Sequence, residues 1–388
     1  MKDYFKVAAG CTMIMLLFTR CKQSYDPQIE PKNIKLLVVE GFLNSGQGST
    51  TIRLSRTVNL KDTAIKPEIG AQVNVEGGNG SNFTLIGNTK GEYSIAQLIL
   101  NNNVKYRLHI KTTDGKEYIS DFTSVKYTPP IDSVTWQRED GGLRLYANAH
   151  DPQNATKYYQ WKYEETWEFH SAFYASLKYI RDNSDKVINL VYKYPDHSVD
   201  TTIYKCWKTV NSSSVIIGSS EKLTTDVIYL PVQYIEPNSE KLSVLYSLNL
   251  KQYALSHDEY LFLQKMKKNT EQIGTLFDPQ PSELSGNIHC LTDPNEIVIG
   301  YVEITQEQTK RIFIYNNQVN GWNYQTGCFQ IIVDNNLDSI AKYARDRFPT
   351  VPFALSPLGS ILQFYAADNE NCVDCTIRGT NQKPFFWP

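Results

Sequence analysis

From Lys35 onward, apolar side chains recur at every second position over most of the next hundred or so residues. Ile52 and Leu54 alternate with polar neighbours, as do Ala71, Val73 and Val75, then Tyr93 and Ile95, then Val104, Tyr106, Leu108 and Ile110. Successive side chains of a strand point to opposite faces, so this period belongs to a sheet with one buried and one wet face. Turn signals part the runs: Asn44-Ser45-Gly46, Gly77-Gly78-Asn79-Gly80, Lys90-Gly91 and Asp114-Gly115. The last lies between Val104–Ile110 and Tyr118–Phe122 and is the strongest hairpin signal in the chain. Seven or so short strands in about 95 residues predict an immunoglobulin-like β-sandwich over residues 33–128. Thr128-Pro129-Pro130 ends the pattern and marks a boundary, short and stiff enough to hold its two sides at a nearly fixed angle.

Residues 129–388 predict a larger β-rich domain with one or two helices, so the fold class is mainly β. Val134 and Trp136 face Leu143, Leu145 and Ala147 across Asp140-Gly141-Gly142, a second hairpin signal. Further strands are expected at Val215–Ser219, Val227–Pro231, Leu242–Leu250, Ile297–Ile304, Arg311–Tyr315 and Phe329–Val333. A helix is expected near 256–273, opened by Ser256 with Glu259 three residues on, a capping box, and stapled by Leu255 against Tyr260. A shorter helix is expected over Asp338–Phe348, stopped by Pro349.

The start of the chain sets the compartment. Lys2 and Lys6 precede an apolar stretch from Val7 to Phe18, which suits a signal sequence and falls short of the ~20 apolar residues of a membrane-spanning helix. Leu17-Phe18-Thr19-Arg20-Cys21 follows and resembles a bacterial lipoprotein signal over residues 1–21, with Cys21 as the acylated residue. Arg20 departs from the small residue usual before that cysteine. Residues 22–32 are polar, carry two prolines and read as a tether. It reaches about 18 Å on average and no more than roughly 36 Å. Attachment to a membrane is thus expected through a lipid anchor.

Charge is nearly balanced, with 39 basic and 41 acidic residues and no basic run. Nucleic acid is therefore not an expected partner, because phosphate binding needs clustered Lys and Arg. Five cysteines remain beyond the leader, Cys206, Cys290, Cys328, Cys372 and Cys375. In an exported chain they are disulfide candidates, and an odd number leaves at least one unpaired within the chain. Cys372-Val373-Asp374-Cys375 admits a redox dithiol, half a zinc site or a structural disulfide staple near the C-terminus, and the staple is the expectation, because the Gly379, Asn381 and Pro384 behind it form no thiolate-stabilising helix. No second close-spaced ligand pair completes a zinc site, and the six histidines are scattered, so no metal or cofactor is expected.

No nucleophile elbow, zinc-protease helix or phosphate-binding glycine loop is present, and no catalytic residue is assigned. Glu164, Glu165 and Glu168 crowd around Trp161 and Trp167, as carboxylates do in sugar-cleaving sites. The same spacing fits a strand with glutamates facing water.

Several segments together carry a family resemblance. They include Val39-Glu40-Gly41, Pro129-Pro130-Ile131-Asp132-Ser133-Val134, Tyr158-Tyr159-Gln160-Trp161 and Glu165-Thr166-Trp167. With them come the stretch from Asn269 to Pro281, Gly286-Asn287-Ile288-His289-Cys290, Cys372-Val373-Asp374-Cys375 and the closing Lys383-Pro384-Phe385-Phe386-Trp387. The chain resembles a family of Bacteroidota lipoproteins known only as a domain of unknown function and encoded beside TonB-dependent outer-membrane receptors. The resemblance implies an outer-membrane location and such a receptor as partner. After the expected helix, Gly274 leads into a Pro-bracketed extended stretch whose Thr275, Leu276, Phe277 and Pro279 are candidate partner contacts, with little entropy to lose on docking. A rigid crossover between strands reads the same residues equally well. The expected function is substrate capture or accessory binding beside the receptor, without catalysis. A structural or assembly lipoprotein is the alternative, and a glycan-acting enzyme centred on Glu165 and Glu168 comes third.

Overall fold

In the computed structural model of the protein, residues 35–58, 65–271, 284 and 286–388 are described. The first nine strands are β1 (Leu37–Asn44), β2 (Thr50–Arg56), β3 (Lys66–Pro67), β4 (Gln72–Gly77), β5 (Asn82–Gly87), β6 (Glu92–Ile95), β7 (Lys105–Lys111), β8 (Glu117–Ser120) and β9 (Thr123–Ser124). Seven of them run in one hydrogen-bonded path, β8-β7-β4-β5-β6-β2-β1, with β3 beside β2 and β9 beside β7. The path curls into a half-barrel around one core. Leu37, Ile52, Leu54, Val73, Val75, Tyr93, Tyr106, Leu108 and Ile110 fill that core and are each at most 2% exposed. These are the residues that the alternation turns inward. Where two packed sheets of an immunoglobulin-like sandwich are expected, the strands form one curled sheet, because alternation fixes which side chains face inward and not what closes over them. The β7–β8 hairpin turns at Asp114-Gly115 as expected, with Gly115 at φ 86°.

Chain from far downstream completes this sheet. Ile288–Cys290 pairs antiparallel with β8, and Ile304–Thr305 lies parallel to the end of β1. Ile288, Cys290, Val298, Val302 and Ile304 join the same core. The change of sheet at Thr128-Pro129-Pro130 is therefore crossed again when the chain returns, and once more when it leaves.

The next elements are β10 (Ile131–Glu139), β11 (Gly142–His150), β12 (Tyr158–His170), the hairpin of β13 (Leu177–Arg181) and β14 (Val187–Tyr192), β15 (Lys205–Asn211), β16 (Ile216–Ser219), β17 (Val227–Ile235) and β18 (Leu245–Ala254). Helix α1 (His257–Glu271), the returning strands β19 (Ile288–Cys290) and β20 (Ile304–Thr305), and β21 (Gln308–Tyr315) follow. One sheet has the order β10-β11-β17 and the other β15-β12-β18-β21, with β16 also pairing β12. The two pack face to face as a sandwich. Leu143, Leu145, Ala147, Val232 and Ile235 of one meet Tyr159, Trp161, Trp167, Tyr246, Leu248 and Leu250 of the other in a single core. Asp140 and Gly141 turn the β10–β11 hairpin with φ of 49° and 77°, the positive pair that a tight two-residue turn requires.

Buried polar contacts bolt the sandwich to the curled sheet. Thr128 Oγ1 lies 2.9 Å from Thr305 Oγ1 and accepts the Ala254 amide at 3.1 Å, and Gln252 Nε2 donates to the Pro129 carbonyl at 2.8 Å. Gln252 in turn accepts from Trp161 Nε1 at 2.8 Å, and the Phe42 and Tyr253 rings meet at 4.5 Å.

A small lobe holds β22 (Gln330–Asp334), α2 (Leu337–Tyr343), β23 (Phe348–Leu355) and β24 (Ile361–Ala367). Its sheet has the order β22-β24-β23, and its core joins Val333, Ile340 and Phe364 to Leu177, Val187 and Leu190 of the β13–β14 hairpin. The helix expected over Asp338–Phe348 ends early, at Tyr343, because Phe348 already opens β23. That strand carries Pro349 and Pro352 where its register with β24 shifts, which an edge strand tolerates because a missing donor there breaks no ladder. Among the described residues, no helix is long and apolar enough to cross a membrane.

Candidate functional site

Four of the five candidate cysteines are paired, Cys206 with Cys375 and Cys328 with Cys372. The close-spaced Cys372 and Cys375 do not bond to each other. Each reaches a distant partner, so the Cys-x-x-Cys segment is a double staple and has no dithiol to offer. Cys290, the odd thiol, is buried in β19. Cys328, Asp368 and Cys372 bring three ligand-type atoms within 4.8 Å, but both sulfurs are spent in the disulfide and supply no thiolate. Beside this bond lies a polar cleft of about 260 Å³ lined by Tyr324, Asp368, Asn369, Asn371 and Arg378. Its cation is already neutralised: Arg378 pairs with Glu240, which also accepts the Tyr324 hydroxyl at 3.0 Å. Cys21 and the candidate contacts Thr275, Leu276, Phe277 and Pro279 lie outside the described residues.

The two glutamates of the sugar-cleaving reading sit on β12, whose register with β15 is unbroken from Glu164 to His170. Strand alternation therefore puts Glu165 and Glu168 on opposite faces. Glu165, 4% exposed, accepts from Lys241 at 2.6 Å, Tyr246 at 3.0 Å and Gln233 at 3.1 Å. Glu168, 5% exposed, accepts from Lys205 at 2.9 Å and from His170 and Trp387 at 3.0 Å each. Burial pushes the Glu168 carboxyl up, but the hydrogen bonds from His170, Lys205 and Trp387 outweigh it and hold the group down at about 2. Trp161 and Trp167 are core residues. Lying on opposite faces with their oxygens taken up by these partners, Glu165 and Glu168 do not converge as a carboxylate pair.

An open surface runs along α1. Ser256 caps this helix by accepting the Glu259 amide at 3.0 Å. The reciprocal half of the expected capping box is supplied from elsewhere: the Ser256 amide donates to Glu303 Oε2 at 2.9 Å. Glu259 is left buried against Glu303, and burial first, then the Glu303 charge and hydrogen bond, push its carboxyl well above the usual carboxylate range. Leu255 and Tyr260 pack together as expected, joined by Leu263 and Met266, with Val215 and Ile217 beneath them. A second face, His257, Tyr260, Leu261, Gln264 and Lys267, follows the three- and four-residue spacing of one helix side. It lines two cavities, of about 410 Å³ and about 400 Å³. Their opposite wall is β16 with its flanks, from Ser214 to Ile217, then Ser219, Glu221, Lys222 and Leu223, joined by Leu230 and Pro231 of β17. The sequence reading missed this face. Its signal was the run Tyr260-Leu261-Phe262-Leu263, which is apolar on more sides than one buried stripe needs.

No functionally curated protein is detectably similar to the chain. Among solved structures, a Bacteroides uniformis protein whose description as carbohydrate-binding is itself provisional aligns at 10% identity, covering 57% of this chain and 90% of that one, with a TM-score of 0.16. A Bacillus thuringiensis chitinase aligns at 13% identity, covering 52% of this chain and 30% of its own, also with a TM-score of 0.16. Scores this low carry no argument about fold or function. The family comparison is different in kind: the profile of the domain of unknown function DUF4249 matches residues 22–311, and the chain belongs to that family.

Proposed function

We propose that the chain is an outer-membrane lipoprotein, anchored through a lipid on Cys21, that works by binding and without catalysis beside a TonB-dependent receptor. The observation that carries the binding half is the open groove along α1. It offers an aromatic and apolar helix face on a rigid β scaffold, the setting in which binding sites are commonly built. The carboxylates nearest to a catalytic arrangement are saturated by structural partners on opposite faces of one strand. Support for the anchor comes from the leader and from the family match, which opens at residue 22, directly after Cys21. The receptor rests on the resemblance to lipoproteins encoded beside such transporters.

The test is purification of the native protein from detergent-solubilised envelopes, read by mass spectrometry, together with labelling of the cells by a radioactive fatty acid. A stoichiometric TonB-dependent receptor and a label that disappears in Cys21→Ser are the expected results. Assembly-machine subunits in place of the receptor would shift the reading to a structural role. An unlabelled wild-type chain would remove the anchor.

A further inference from the structure

The polar cleft beside the Cys328–Cys372 bond has a rigid frame and an incomplete set of hydrogen bonds. Its walls are residues 324–328 and 368–378, with Ala172, and neither wall adjoins an undescribed stretch of the sequence. The two walls are sewn together. Beyond the disulfide, the Phe329 amide donates to Asp368 Oδ1 at 3.2 Å and the Asp368 amide to the Phe329 carbonyl at 3.1 Å. Asn369 caps the next turn by accepting the Asn371 amide at 3.0 Å. Cys206–Cys375 pins the same segment to the sandwich core. A frame held this way has little freedom to lose when a ligand enters, which favours binding.

Two polar atoms on residues of this frame have no partner. Asn371 Oδ1, an acceptor, and Arg378 Nε, a donor, are buried and make no hydrogen bond. Buried polar groups left unpaired are rare because they are costly, so a pair of them on residues lining one cleft calls for a bound group that completes them. Neither atom is open to water as it stands, and a small rotation of each side chain has to present it.

The charges narrow the class of ligand. Arg378 is neutralised by Glu240, and among the described residues no cation is paired with Asp368. An anion would therefore find no free cation and would meet the Asp368 charge. A calcium-like cation takes about 6–8 oxygens, whereas this cleft offers one carboxylate with a guanidinium on the same wall. A neutral ligand is left, with groups that donate to Asp368 and Asn371 Oδ1 and accept from Arg378 Nε and Asn369 Nδ2. Hydroxyls do both. Tyr324, its own hydroxyl held on Glu240 at 3.0 Å, adds an aromatic ring to the lining. The volume of about 260 Å³ lies below the roughly 300–1,000 Å³ of sites for drug-sized molecules and suits a single ring.

We propose that the cleft binds one neutral sugar unit, free or at the end of a glycan, with Asp368, Asn369, Asn371 and Arg378 as its hydrogen-bonding residues. The site adds a ligand class to the binding reading and shares no lining residue with the α1 groove. It depends on neither the anchor nor the receptor.

The experiment is saturation-transfer NMR on the purified full-length protein, in a detergent without a sugar head group. The probes are neutral hexoses, pentoses, 6-deoxyhexoses and N-acetylhexosamines, with a uronic acid as the charged control. At least one neutral sugar should bind with a Kd of about 0.1–10 mM, the range for a dozen or so heavy atoms, and the uronic acid should bind at least about tenfold more weakly. Asn371→Ala removes an acceptor that makes no bond in the free protein, so affinity should fall about tenfold, the loss of one hydrogen bond, at unchanged Tm. Should that variant not fold, Asp368→Asn keeps an oxygen for the Phe329 amide and removes the charge. Affinity should again fall about tenfold, and the discrimination against the uronic acid should narrow. No bound sugar across the panel would overturn the proposal and leave the orphaned atoms to water. Sugar binding that neither substitution weakens would also overturn it, as would a uronic acid that binds as tightly as the neutral sugars. Calcium binding that Asp368→Asn abolishes, with no sugar bound, would replace it with a cation site. Because the sugars are titrated onto the isolated protein, a missing receptor in the envelope purification leaves this result standing, and the reverse also holds.

Discussion

All nine strands from Leu37 to Ser124 enter the curled sheet, mostly beside strands near them in sequence, and its core needs no disulfide. The lobe at the other end gathers a hairpin from residues 177–192 and a sheet from residues 330–367, two pieces well over a hundred residues apart. Its own cores are small; Cys328–Cys372 closes a sequence separation of 44 beside them, and Cys206–Cys375, a separation of 169, ties the chain that follows the lobe to the sandwich core. Local alternation suffices where each strand finds its partner close by. Where the partners are remote and the apolar surface is slight, the entropy of closing the loop is removed from the unfolded chain by covalent links.

The sharpest way to break this comparison is to cut the longer link. Cys206→Ser with Cys375→Ser should destabilise the protein by about 5 kcal/mol, from chain entropy over a loop of this length. Limited proteolysis should then cut first within residues 328–388 and leave Leu37–Ser124 intact. Equal cutting in both regions would show one cooperative unit and end the distinction.

A polar anchor assists the staples. Trp387 near the C-terminus is tied to Glu168 at 3.0 Å, and its ring meets Phe313 at 5.7 Å. A carboxyl held at about 2, below its ordinary 4.5, contributes stability that is full above the ordinary value and is lost as pH falls toward 2. Glu168→Gln should therefore cost roughly 2–3 kcal/mol at pH 7 and nearly nothing at pH 2, as read by urea unfolding at both. An equal cost at the two pH values would mean that packing, not charge, holds the tail.

The curled sheet has a long-range ionic tie of its own, and it lies on the returning segment. Glu296, on chain that joins the first core near Val298, accepts the Tyr118 hydroxyl at 2.8 Å, pairs with Lys116 and lies 3.5 Å from Arg56. Glu296→Ala should cost about 1–3 kcal/mol by leaving half-buried partners unsatisfied, and should speed exchange of the β8 amides that β19 covers. No change in those amides would show that the sheet closes without the returning chain.

The same contrast explains what was legible in the sequence. Val73, Val75, Leu108 and Ile110 declared their inward face by alternation, and Asp114-Gly115 and Asp140-Gly141 declared their hairpins by the positive φ their turns need. How the first sheet closes was not legible, because Ile288 and Ile304 reach it across more than 150 residues of chain and nothing local marks them as its strands. β23 was hidden by Pro349 and Pro352, which read as a helix stop and an irregular loop. Glu165 and Glu168 looked like a reactive pair only while their opposite faces on β12 were unknown. The groove along α1 was hardest to see, since its walls come from a helix and a strand on separate stretches of chain and nothing local in either marks them as facing each other.

The smallest expected effect falls at the junction between the curled sheet and the sandwich, where Glu259 at the start of α1 meets Glu303 on the returning segment. Both are buried, at 7% and 3% exposed. Lys162 and Lys126 are the nearest cations and act in the opposite sense, while burial and Glu303 dominate and keep the Glu259 proton on. A carboxyl raised above its ordinary 4.5 adds stability that is complete below that value and fades as pH rises through its folded-state value. The wild-type protein should therefore lose stability at this site toward alkaline pH. Glu259→Gln is neutral at every pH, keeps the volume and removes the loss, so its Tm should exceed that of the wild type by more at pH 8 than at pH 5. If the gain is flat with pH, Glu259 is ionised in the folded protein and the Lys162 and Lys126 charges govern the site. The joint between curled sheet and sandwich would then be an ion network and not a shared proton.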